Sequence, residues 1–153
     1  DALRAGLLDG SVDVVATDHA PHTLEEKERP YANAPSGGPL VQHSLPMMLE
    51  LSAQGVLPVE TVVEKMCHAP ARLFGVRDRG FLRTGHFADI VLVRPADPWT
   101  VSKENILYKC GWSPLEGTAF SHRVVRTLVN GRTVYADGRV DTAHRGAELE
   151  FDR

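Results

Sequence analysis

Residues Val14–Thr23 read VVATDHAPHT: a β-branched run stops at an acid, and two histidines follow within four positions. A carboxylate at the carboxyl end of a buried strand stands at the mouth of an α/β barrel or open sheet, where such folds place their sites. Removed from water, it needs a cation or several N–H donors. Asp18 is therefore a candidate metal ligand or proton carrier, and His19 and His22 are candidate ligands or substrate contacts. The same residues also read as plain structure, with Asp18 capping the next turn and both histidines solvated. Zinc needs three or four protein ligands. The sequence holds no His-x-His, and His43, His68, His86, His122 and His144 are dispersed. These five read as surface or packing residues, and most of any metal site is expected upstream of Asp1.

Other patterns carry less chemistry. Cys67 and His68 are adjacent, but neighbours on a helix point about 100° apart and do not face each other. Ser36–Gly38 could present backbone N–H groups to an anion or form a simple turn. The charged run EEKER reads as a solvated face, and Trp99 and Trp112 as packing anchors of a C-terminal β region. There is no Gly-x-Ser-x-Gly and no phosphate loop.

The elements that must position Asp18 follow from patterning. A helix closes at Asp9-Gly10, and Val12, Val14 and Val15 then suggest a strand buried on both faces. Residues 23–44 read as a long loop, because Pro and Gly interrupt them. Three helices follow. The first buries Leu45, Met48, Leu49 and Ser52 and stops at Gly55. The second opens at Pro58 with Val59, Val62, Val63 and Met66 on one face. The third opens at Pro70, packs Leu73 and Phe74, and stops at Gly75. Beyond Arg77 the texture becomes β, with a strand at Ala88–Val93 and a hairpin over Val124–Tyr135. Asn130-Gly131 is its turn, since both central positions need positive φ. An α/β fold is expected.

The chain has 153 residues, 42% hydrophobic and 24% charged, with net charge −3. That suits a globular domain with a real core. Nothing basic points to nucleic acid, no apolar run approaches the ~20 residues of a membrane span, and two scattered cysteines suit a reducing cytoplasm. The sequence starts at Asp1, in mid-helix, so a truncated chain is expected.

At TDHAPHTLEEK the sequence resembles the dihydroorotases of the amidohydrolase superfamily. The likeness continues through APSGGPLVQHSLPMMLE, VEKMCHAPARLFGV, GHFADIVLV, WTVSKENILYKCGWSPLEG and VNGRTVY, from Asp1 to about Arg139. The resemblance implies the C-terminal part of a (β/α)8 TIM-like barrel plus the C-terminal strands of a small β-sandwich. Residues 1–76 would hold the last barrel strand (Asp13–Thr17), the active-site loop and the closing helices, and residues 77–153 the sandwich strands and tail. Asp18 would bind one of one or two zinc ions and shuttle a proton from the metal-bound hydroxide to the leaving ring nitrogen. His22 would bind the substrate carboxylate, and Gly37 and Gly38 would close over the ring. His19 inherits no role.

The remaining family ligands belong to barrel strands absent here, so this chain alone is expected to bind metal poorly and turn over nothing. The activity implied is the reversible hydrolysis of L-dihydroorotate to N-carbamoyl-L-aspartate. Two alternatives stand beside it: a hydantoinase-like cyclic amidohydrolase, and a non-catalytic partner of aspartate transcarbamoylase. Homodimerisation is a further expected association, and the expected ligand is a small molecule.

Overall fold

The computed structural model describes residues 1–152. Helix α1 (Ala2–Asp9) ends where Gly10 takes a left-handed conformation, φ 87°, a turn that glycine adopts at little cost. From Val12 the chain runs extended, but it does not form the expected strand. The valines at 12, 14 and 15 are only half-buried, and the backbone has no ladder. A parallel strand exists only through its neighbours, and the described residues supply no parallel strand beside this one. It is held instead by helix residues. Lys65 is buried and sends Nζ to the carbonyl of Val12 at 2.6 Å, while Val15 N–H donates to the carbonyl of Lys65 at 3.0 Å.

The expected long loop contains a one-turn helix, α2 (Leu24–Lys27). Thr23 Oγ1 accepts from Glu26 N–H, and the Glu26 carboxylate accepts from Thr23 N–H at 2.9 Å. Each side chain satisfies an amide at the helix start that would otherwise lack a partner. Helix α3 (Ser44–Ala53) follows as expected and buries Ser44, Pro46, Met48 and Leu49.

The second and third expected helices are one continuous helix. Segment α4 (Val59–Val63) passes through a wider π turn (Glu64–His68) into α5 (Ala69–Leu73). Pro70 has no N–H and its ring crowds the preceding turn. The π turn, closed by Ala69 N–H on the carbonyl of Glu64, widens the helix immediately before it. Proline here continues the helix where the sequence suggested a new start. Only Val62 of the α4 stripe is fully buried; Val59 and Val63 are exposed, and so are Leu73 and Phe74. The core gathers Met48, Leu49, Leu57 and Val62, with Leu7, Val15, Leu45, Leu51, Met66 and Val93 packed around them.

The C-terminal half is a four-stranded antiparallel meander in the order β1 (Ile90–Thr100), β2 (Ala119–Val129), β3 (Arg132–Ala136), β4 (Arg139–Val140). Asn130 and Gly131 turn the β2–β3 hairpin with φ 51° and 76°. Strand β1 runs past its expected end, with register breaks between Leu92 and Val93 and between Pro95 and Trp99, where Pro95 and Pro98 cannot donate to the ladder. The sheet meets the helices through Glu50, whose carboxylate accepts from Ser121 N–H at 2.8 Å and Ser121 Oγ at 2.7 Å. Those two bonds hold its carboxyl below the usual range. Arg79 is buried against Asp89, donates to Asn130 Oδ1 at 3.0 Å, and lies 4.1 Å over the Phe87 ring. This ties the 78–89 connection to the hairpin turn.

Gly80 seats that connection on the helix. A Cβ there would lie 2.5 Å from Ala71 Cβ and 2.8 Å from the carbonyl oxygen of Cys67, at φ 79°. Gly85, at φ 89°, faces open space. Gly85→Ala is expected to cost only the left-handed penalty, about 1–2 kcal/mol. Gly80→Ala adds overpacking, for a total of roughly 2–5 kcal/mol. Urea midpoints of the two variants measure the difference, and equal midpoints would mean that the close approach at Gly80 does not hold.

Candidate active site

Asp18 ends the extended segment in a left-handed conformation, φ 43°. Among non-glycine residues Asp and Asn accept this region best. Its carboxylate is exposed and, among the described residues, takes part in no hydrogen bond or ion pair. It points to nothing within its own turn, so the capping role does not hold, and the group is open to a ligand. No cluster of three or more His, Cys, Asp or Glu capable of holding a metal occurs among the described residues. Asp18 thus fits zinc as a single ligand and cannot form a site alone.

The turn at Ser36–Gly38 lies beside this segment. His19 pairs with Gly38 in a parallel bridge. Gly37, at φ 97°, packs so closely on Ala20 that a Cβ there would lie 2.6 Å from Ala20 Cβ. Position 38 is open, and a Cβ there would meet nothing within 4 Å. From the far side Lys27 Nζ donates to the carbonyls of Pro35 at 2.7 Å and Gly37 at 3.0 Å. A trans peptide directs its N–H opposite its C=O, so this contact turns Gly38 N–H away from Lys27. The charged run EEKER is therefore more than a solvated face, because Lys27 and Glu26 hold the turn and the α2 cap.

His22 lies half-buried, with Nδ1 3.5 Å from the Glu26 carboxylate. The partner on Nδ1 leaves Nε2 available. The His22 carbonyl accepts from Trp112 Nε1 at 2.7 Å. Trp112 is therefore a tether between the C-terminal region and this loop, whereas Trp99 packs as expected, 5.5 Å from Phe120 and with Arg123 over its ring. The tether is invisible in the sequence, because nothing in a lone tryptophan names a carbonyl 90 residues away. His19 and His22 both lie in the loop after Asp18, and each has its Nδ1 engaged, His22 by Glu26 and His19 by the Leu40 amide.

His43, expected to be a surface or packing residue, is completely buried. It sits among Trp99, Tyr108 and Phe120, with ring separations of 6.3, 5.8 and 6.3 Å. Its Nδ1 lies 3.5 Å from Tyr108 Oη and 3.4 Å from Ser113 Oγ. Both oxygens already accept an N–H, from Gln42 and Leu115. The other ring nitrogen, Nε2, is buried without a partner. Cys67, beside His68, is no thiol–base pair: the His68 ring stacks on Phe81 at 4.4 Å with Nδ1 toward Glu64, and burial pushes the thiol up.

These elements define an α/β protein of helices packed on an antiparallel sheet. The same arrangement occurs in the L-hydantoinase (dihydropyrimidinase) of Arthrobacter aurescens, at TM-score 0.83 and 33% identity over 92% of this chain and 32% of that one. The amidohydrolase family profile matches residues 42–135, and the chain belongs to that family. It is 42% identical over 134 residues to the dihydroorotase of Pelobacter propionicus, covering 88% of this chain and 31% of the relative. It is 40% identical over 149 residues to the dihydroorotase of Halobacterium salinarum, covering 97% and 35%. The chain spans about a third of the length of the curated relatives it matches.

Burial holds the His43 imidazole below its ordinary range. The unfolded chain takes up a proton there as pH falls through about 6.5, while the folded chain resists it. Stability is therefore full at neutral pH and declines as pH drops below about 6.5. His43→Gln, uncharged throughout, is expected to flatten that part of the pH profile of the urea midpoint. A variant whose profile parallels the parent would move the acid sensitivity to another group.

Proposed function

We propose that this chain is the C-terminal part of a zinc-dependent dihydroorotase that interconverts L-dihydroorotate and N-carbamoyl-L-aspartate in pyrimidine biosynthesis. The observation that carries the reading is the exposed, unpartnered Asp18 at the end of its extended segment, in a chain about 40% identical to dihydroorotases. Residues 1–76 belong to the barrel that bears the site, with Asp13–Thr17 as its last strand, and 77–153 to the β-sandwich. The missing neighbours of that strand explain why it has no ladder here. Two free thiols, Cys67 and Cys110, fit a reducing cytoplasm.

Asp18 supplies one zinc ligand, and the others come from outside these residues. Bound zinc would polarise the ring carbonyl and supply a nucleophile near neutral pH. Asp18 accepts a proton from the water oxygen as it adds to the ring amide carbon. When the C–N bond breaks, Asp18 returns that proton to the leaving ring nitrogen, and in the reverse direction it moves the same proton back. As an imidazolium, His22 donates through Nδ1 to Glu26 and through Nε2 to the substrate carboxylate. The open position at Gly38 lets the ring approach the backbone.

A hydantoinase-like activity is the second reading, favoured by the fold shared with the Arthrobacter enzyme. To test both, this chain is joined to the upstream two-thirds of the Pelobacter propionicus relative and assayed with dihydroorotate, dihydrouracil and a hydantoin. Turnover of dihydroorotate is expected to dominate, and preference for the uncarboxylated rings would favour the second reading.

In that enzyme Asp18→Asn keeps the left-handed turn and removes the proton acceptor, so kcat should fall by roughly 10²–10⁴-fold. A variant within a few-fold of the parent, with full zinc, would remove Asp18 from the chemistry. His22→Ala should raise KM for dihydroorotate by ~10–100-fold with zinc content unchanged, and should matter much less for dihydrouracil. Equal penalties on both substrates would end the carboxylate role.

A further inference from the structure

His19 inherits no role from the family likeness, yet its ring engages the backbone that follows the turn beside Asp18. Leu40 N–H donates to His19 Nδ1 at 3.1 Å, and Val41 N–H approaches the same atom at 3.4 Å. The next amide, Gln42 N–H, donates to Tyr108 Oη at 2.8 Å. The two acceptor side chains touch, with ring centroids 5.3 Å apart. Three successive backbone N–H groups, lying between the Ser36–Gly38 turn and helix α3, are thus taken by two side chains in contact. One comes from the end of the extended segment and the other from the C-terminal half of the chain.

Gln42 closes the arrangement from its own side. Its Nε2 donates to the carbonyl of Asn105 at 2.7 Å, and its Oε1 accepts from Leu107 N–H at 2.8 Å. An imidazole nitrogen that accepts an N–H carries no proton, so neutral His19 is the Nε2–H tautomer. That tautomer has no lone pair on Nε2 for a metal, so His19 is not a ligand in this arrangement.

We propose that His19 and Tyr108 form a clamp, with His19 as a positioning residue that sets the Gly37–Gly38 turn against Asp18 by accepting the Leu40 and Val41 amides. Its meaning for catalysis rests on the reading of Asp18, Gly37 and Gly38 as site residues; the clamp itself does not.

The test is residue-resolved amide exchange on the 153-residue chain, with long-range ¹H–¹⁵N spectra of the histidine rings. Neither requires substrate or zinc, so the outcome does not depend on which ring is hydrolysed. In the parent, His19 Nδ1 should show the shift of an unprotonated acceptor and Nε2 that of a protonated nitrogen; the opposite tautomer at neutral pH would overturn the proposal. His19→Ala should speed exchange at Leu40 and Val41 about tenfold and leave Gln42 unchanged. Tyr108→Phe should do the reverse. Asn places a carbonyl oxygen near the position of Nδ1, so His19→Asn should restore protection at Leu40 and Val41. Asn behaving as Ala would overturn the acceptor role, as would unchanged exchange in the Ala variant. The ring spectra of the parent and the Asn variant keep the test decisive even if His19→Ala does not fold.

Discussion

An extended segment with no strand beside it has no ladder to fix its position, and Asp18 depends on that segment. The constraint is met by a buried amine. Lys65 turns its ammonium inward to the carbonyl of Val12, and its own carbonyl accepts from Val15. A buried charge is costly unless hydrogen-bonded, so this lysine is expected at a position where one backbone carbonyl must be held. Because Lys65 lies in the π turn, the geometry before Pro70 and the course of the segment leading to Asp18 are coupled.

The C-terminal half completes the positioning from the other end. Ser121 holds Glu50 on α3, Tyr108 holds Gln42 just before α3, and Trp112 holds His22. The helix and the loop are therefore both referenced to β2 and the β1–β2 connection. His43 stands at the centre of that contact, and its unpartnered Nε2 costs about 1–3 kcal/mol, set against the burial of Phe120 beside its ring.

What the sequence disclosed divides by range. The Asn130-Gly131 turn, the stop at Gly10 and the existence of α3 depend on residues a few positions apart, and each is where local patterning places it, although of the expected α3 face only Met48 and Leu49 are fully buried. The capping box at Thr23-Leu24-Glu25-Glu26 was equally local and readable, but the Pro and Gly that follow it suggested a loop throughout. Pro70 misled because its usual place is a helix start, and the π turn that accommodates it has no composition of its own. Asp13–Thr17 has the residues of a buried strand, but a strand is a property of its neighbours too. At the site, Asp18 and its left-handed turn could be suspected from residue type. The partners of the His19 and His43 rings and of the His22 carbonyl could not, because they come from 21 to 90 positions away.

The tether from Trp112 ends on the carbonyl of His22 and ignores its imidazole. Every residue has that carbonyl. The loop can therefore keep its place while the side chain at 22 changes, so a lineage can vary that side chain without first loosening the scaffold. A fold shared between proteins named for dihydroorotate and for hydantoins is what such an arrangement permits: divergence of the ligand at fixed geometry of the loop that meets it.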